Sequence, residues 1–124
     1  MDRPQMNVLS TVLGAPDPSA LADFYQKLLG WNRVADEPDW VKIEAPAEGT
    51  ALSFQLEEKH IPPVWPADEG DQQMMMHLDI KVEDLNEAVK WALEVGATLA
   101  DFQPQLDNRV MIDPAGHPFC LFED

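Results

Sequence analysis

The stretch HLDIKVEDLNEAVKWALEVGA, residues 77–97, sets a strand-like run ahead of an aspartate and a helix-like run. Asp84 is a good helix N-cap, and Glu87 three residues on completes a capping box. Leu85, Ala88, Ala92 and Val95 then fall on one helix face, and Gly96 is the expected stop. Residues 10–31, STVLGAPDPSALADFYQKLLGW, repeat this layout. Asp17 caps, Pro18 takes the first helical position, and Leu21, Phe24, Tyr25 and Leu28 form the stripe before Gly30. Asp17 and Asp84 stand 67 positions apart (84 − 17 = 67), and the same offset carries Ser10 onto His77.

The flanking segments extend the repeat. Asn7–Leu13, a short run at Trp31–Val34, Trp40–Glu44 and Ala51–Leu56 read as strands around the first helix. Residues 75–82 (MMHLDIKV), TLADF, RVMID and PFCLFE read as strands around the second. SFQ at 53–55 lines up with LFE at 121–123, an offset of 68 that one inserted loop residue would explain. Each copy is therefore strand, helix, then three strands, as expected of a duplicated unit that cannot bury its sheet face alone. The expected architecture is α+β, one domain of two tandem βαβββ modules. Module one spans about 5–57 and module two 74–124; the proline-rich, charged segment 58–73 reads as a linker.

Composition narrows the function. With 45% hydrophobic residues in 124, the chain can bury a core. No apolar run approaches the roughly 20 residues of a membrane span, and MDRPQMNVLS does not read as a signal peptide. One cysteine cannot form an internal disulfide, so a cytoplasmic location is expected. The net charge of −15, from 23 acidic and 8 basic residues, argues against nucleic acid and anionic membranes. It would attract a cationic ligand or a metal, although solvated carboxylates are also what keeps a protein soluble.

Strand parity sorts the candidate site residues. His77, Asp79 and Lys81 share the face opposite Leu78, Ile80 and Val82. In PFCLFE, Cys120 and Phe122 share one face, read as the helix-covered one, which would leave the Cys120 thiol inert. Phe119, Leu121 and Glu123 take the other. If the polar faces curve toward each other, Ser10, Gln55, His77 and Glu123 would converge in a cleft. An unpaired buried carboxylate is costly, so Asp79 is expected to pair with His77, Lys81 or a ligand. His117 is read as a buttress of the turn DPAGH, His60 as solvated, and Met74–Met76 as core filler or adaptable pocket wall. Trp31, Trp40 and Trp65 are candidate aromatic walls, and Trp91 is read as core.

Three segments together resemble the vicinal oxygen chelate superfamily, which includes glyoxalase I, bleomycin-resistance proteins and extradiol dioxygenases. They are APDPSALADFYQKLLGW, HLDIKVEDLNEAVKWALEVGA and DPAGHPFCLFE, and in this order they span nearly the whole chain. The resemblance implies paired βαβββ modules forming a cupped mixed sheet around a cavity, commonly in a homodimer. It also implies metal ligands at Ser10, Gln55, His77 and Glu123. His77 and Glu123 suit a metal and Gln55 is tolerable, but a neutral serine hydroxyl is a poor ligand. A metal-free small-molecule-binding protein is therefore the first expectation, its ligand an organic molecule, with cations among the candidates. The alternative is a lyase, isomerase or dioxygenase acting on vicinal oxygens with Zn²⁺, Ni²⁺, Mn²⁺ or Fe²⁺. Glu123, His77 and Asp79 are the candidate catalytic groups, and could also do acid–base chemistry without metal.

Overall fold

The structure is a computed structural model that describes residues 2–47 and 49–123. Its elements run β1 (Ser10–Ala15), α1 (Pro18–Leu29), β2 (Asn32–Glu37), β3 (Trp40–Glu44), β4 (Ala51–Leu56), β5 (Leu78–Val82), α2 (Leu85–Glu94), β6 (Thr98–Leu99), β7 (Asn108–Ile112) and β8 (Pro118–Glu123). This is α+β with two repeated βαβββ modules. The chain divides into two compact units at Glu58/Lys59.

The helices start as the capping residues dictate. Asp17 accepts from the Ala20 N–H at 3.1 Å, Pro18 leads α1, and Gly30 ends it in the left-handed region at φ 74°. Asp84 accepts from the Glu87 N–H at 3.1 Å.

In module one the sheet order is β1-β4-β3-β2, with β1 parallel to β4 and the other pairs antiparallel. Val41, Ile43, Leu52 and Phe54 are buried, as are Leu21, Phe24 and Tyr25 on α1. The Tyr25 and Phe54 rings stack at 5.7 Å, joining the helix to the sheet. Removing such rings from water supplies about 1.5–3 kcal/mol each. The opposite face carries Ser10, Ser53, Gln55, Trp40 and Lys42.

Module two repeats the order as β5-β8-β7-β6, with β5 parallel to β8. Phe119, Leu121 and Met111 are buried. Asp79, Cys120 and Val110 stand side by side on adjacent strands and share the other face.

The first strand of each module starts later than the sequence suggests. Partner strands decide this: β4 begins at Ala51 opposite Ser10, and β5 opens at Leu78 opposite Phe119. Met6, Val8, Leu9, Met75 and Met76 therefore lie outside the ladders and are exposed. β1 also runs two residues past the strand read at Asn7–Leu13, through Gly14 and Ala15, because Gln55 and Leu56 continue the ladder.

Part of the segment read as a linker folds onto module two. Trp65 packs on Ala100, Val110 and Cys120, and Val64 N–H bonds to the Gln72 carbonyl at 2.8 Å. His60, expected to be solvated, has Nε2 2.7 Å from the Ala115 carbonyl and its ring 5.2 Å from that of His117. Beneath that turn Asp113 is buried and accepts from the Ala115 and His117 N–H groups. Trp91, expected in the core, is 45% exposed.

Candidate functional site

Each module presents a polar cluster at the same place. In module one Ser10 and Ser53 place their hydroxyl oxygens 2.6 Å apart. Shifting Ser10, Val12 and Ser53 by the helix-cap offset of 67 gives His77, Asp79 and Cys120. The pairings agree: Val12 stands opposite Ser53, and Asp79 opposite Cys120.

In module two this trio converges. His77 Nε2 lies 3.1 Å from Asp79 Oδ1. One ligand-capable atom from each of His77, Asp79 and Cys120 falls within 4.8 Å of the others. Cys120 is buried while His77 and Asp79 reach solvent. Burial pushes the Cys120 thiol up, and the charge of Asp79 and a hydrogen bond to it add to the shift. The thiol is thus held protonated, which makes it a poor nucleophile.

The cluster borders a pocket of about 210 Å³. Trp65 and Met74 supply apolar wall, and His77, Cys120, Gln105 and Asn108 supply polar lining. Trp65 is steadied by Phe102, ring centroids 5.5 Å apart. Asn108 Nδ2 donates to Gln105 Oε1 at 2.9 Å. Its Oδ1 is buried and has no hydrogen-bond partner among the described residues. Leaving such an acceptor unsatisfied costs about 1–3 kcal/mol.

The site residues read from sequence separate into two groups. His77 and Asp79 come together, and the expected pairing of Asp79 holds. Glu123 does not join them. It stands opposite Val82 at the far end of the β5–β8 ladder, and its Oε2 accepts the Leu85 N–H at the start of α2, 2.8 Å away. Its sequence alignment with Gln55 was one residue off: the 67-residue offset aligns Ser53 with Cys120 and Gln55 with Phe122. A one-residue slip exchanges the two faces of a strand. Cys120, expected on the helix-covered face, therefore faces the pocket. Gln55 lies opposite Gly14, at the other end of the β1–β4 ladder from Ser10. Correct parity in β7 and β8 would have brought Asn108 and Cys120 to notice.

The same facts test the implied four-ligand metal. The Ser10 hydroxyl is engaged by Ser53, and the Glu123 carboxylate is engaged by a helix N-terminus. With the corrected register the last-strand places fall to Ser53 and Cys120, and in module one Ser10 and Ser53 spend their hydroxyls on each other.

Comparison with known proteins accords with this architecture. A glyoxalase/bleomycin resistance protein/dioxygenase family enzyme from Burkholderia phytofirmans PsJN superposes with a TM-score of 0.72 at 16% identity, covering 95% of this chain and 98% of that one. An antibiotic binding protein from Streptomyces sp. CB03234 gives 0.66 at 17% identity, covering 98% of both chains. A lactoylglutathione lyase from Agrobacterium tumefaciens gives 0.64 at 15% identity, covering 98% and 96%. At these identities the likeness is one of fold. Among curated proteins no match was found. A family model described as "Glyoxalase-like domain" matches residues 10–122. With that match over the duplicated βαβββ modules, the chain belongs to the glyoxalase-like domain family, within the vicinal oxygen chelate superfamily.

Proposed function

We propose that the chain is a small-molecule-binding protein of the glyoxalase and bleomycin-resistance kind, holding an organic ligand in the module-two pocket. The observation that carries this reading is the pocket itself, walled by Trp65 and Met74 with His77, Gln105 and Asn108 in its lining. The polar lining would hydrogen-bond a ligand's polar groups, and an aromatic ligand face would lie against the indole. Asp79 and the net charge of −15 favour a cation. The antibiotic binding protein among the structural neighbours supports the reading by analogy of fold. The Ser10–Ser53 hydroxyl pair, at the module-one places of His77 and Cys120, offers poor ligands and weighs against the alternative, a lyase, isomerase or dioxygenase dependent on a metal with ligands from both modules.

The reading also takes the protein to be a cytoplasmic homodimer. Met6, Val8 and Leu9, each at least 75% exposed, are apolar surface that a second copy would cover. No helix among the described residues is long and apolar enough to cross a membrane.

A thermal-shift screen of small aromatic and cationic compounds against chelator-treated protein tests the proposal. The expected result is a metal-independent stabiliser whose affinity, by calorimetry, falls about tenfold in Trp65→Ala, the loss of one aromatic contact. Stabilisers that act only with added metal, or that ignore both Trp65→Ala and Asn108→Leu, would overturn it.

A further inference from the structure

Module one carries a charge on an inner strand where the duplicated sheet does not require one. Lys42 on β3 stands opposite Ser53, and the equivalent pair in module two is Val110 opposite Cys120. Val110 is buried there, with Trp65 packed on it. A neutral side chain therefore satisfies the fold at this place.

The Lys42 ammonium is also poorly matched within its own module. Lys42 shares one face of β3 with Trp40 and Glu44, away from the buried Val41 and Ile43. Its side chain is only 20% exposed. Among the described residues its one ionic or hydrogen-bond partner is Glu44, with Nζ 3.9 Å from Oε1. That separation is too long for a hydrogen bond, and the Glu44 side chain is itself 52% exposed. A largely buried ammonium loses hydration that so loose a contact does not replace.

Lys42 and Glu44 line a cavity of about 280 Å³. Val8 and Leu9, ahead of β1, give it one apolar wall, and Ala45 and Ala51, flanking the β3–β4 turn, give it another. No residue of this lining belongs to the module-two pocket.

We propose that the module-one cavity binds a small organic carboxylate, its charged end on Lys42 Nζ and its short aliphatic chain against Val8, Leu9 and Ala45. An ammonium–carboxylate hydrogen bond of about 2.8 Å is roughly twice as strong as a neutral one, and supplies the close partner that Glu44 does not. One ammonium matches one negative charge. A phosphate would bring a second charge beside Glu44 with nothing to pair it. The apolar walls favour a ligand with a hydrocarbon part over a bare ion. The net charge of −15 repels anions at long range, so the contact with Lys42 must carry the binding.

The test uses isotope-labelled full-length protein, titrated with sodium butyrate at constant ionic strength while backbone amide NMR shifts are followed. n-Butylamine, n-butanol and inorganic phosphate are the comparison probes. The expected result is saturable shifts for Leu9, Ala45 and Ala51, with Gln105 and Cys120 unmoved, and a response to butyrate alone. Lys42→Met should weaken butyrate about tenfold or more, the loss of a charged hydrogen bond, and Lys42→Arg should keep it. Glu44→Gln should tighten it by removing the competing carboxylate. Absence of saturable shifts would overturn the proposal, as would shifts centred on the module-two pocket. An equal response to any comparison probe, undiminished binding in Lys42→Met, or no gain in Glu44→Gln would also overturn it. The shift map is read on the unaltered protein and Glu44 is exposed, so a poorly folding Lys42→Met does not blunt the test. Trp65→Ala should leave butyrate binding unchanged, so failure here leaves the module-two reading untouched, and failure of that reading leaves this site untouched.

Discussion

Glu123 Oε2 accepts the backbone N–H of Leu85 at 2.8 Å, so the last strand of module two caps the helix that follows its first strand. A carboxylate at a helix N-terminus meets both an orphan donor and the positive end of the helix dipole. Glu123→Gln keeps the shape and removes the charge. We expect a loss of about 1 kcal/mol in denaturant unfolding. An unchanged midpoint would mean the contact contributes nothing.

The two aspartate caps should behave alike. Asp17→Ala and Asp84→Ala each remove an acceptor for a first-turn N–H. Each should cost about 1 kcal/mol, read as a lowered urea midpoint at constant slope.

Gly116 is a sharper case. Its φ is 94°, and a Cβ there would lie 2.5 Å from Pro62 Cβ and 3.2 Å from Pro62 Cα. Neither atom is the loose end of a side chain. Gly116→Ala should cost about 2 kcal/mol or more, from left-handed strain and from displacement of the 60–62 segment. Faster proteolysis in that segment would report the displacement. A variant as stable as the parent would show that the segment is not held by this contact.

Ser53 is fully buried and satisfied by Ser10. Ser53→Ala should be mild, about 1 kcal/mol, because the half-buried Ser10 can turn to water. Ser10→Ala should cost more, since it strands the Ser53 hydroxyl in the core. Thermal denaturation of the two variants gives the order, and the reverse order would contradict this account.

Light scattering tests the dimer. A homodimer at micromolar concentration is expected, and Val8→Asp with Leu9→Asp should shift it toward monomer. A monomeric parent protein would remove the dimer from the proposed function.

The fold was legible because its signals are local and occur twice. Asp17 and Asp84, each before an apolar stripe, fixed both helices, and residues 40–44 and 51–56 alternated enough to be bounded. PFCLFE was harder. Cys120 and Phe122 are nearly as apolar as Phe119 and Leu121, so alternation is silent about which pair faces the helix. The resemblance of SFQ to LFE then drew the register one residue too far, and Glu123 took the place that belongs to Phe122. Residues 58–73 hid for a different reason. Their prolines and charges describe a loop correctly, but the packing of Trp65 on Val110 depends on contacts far along the chain. His77 and Asp79 were found because they sit two apart on one strand; Cys120 needed the ladder between strands.

Because each module's first strand is hydrogen-bonded to its last, neither sheet can be completed until all of its module is available. On the ribosome, α1 and the β2–β3–β4 meander can form as they emerge, but β1 must wait for Ala51–Leu56. Once Leu56 is out, every described ladder of module one has its partner, while His77, Asp79 and Cys120 are still to come. The order of synthesis thus brings the serine-bearing half to its finished sheet before the half that carries the candidate chemistry exists.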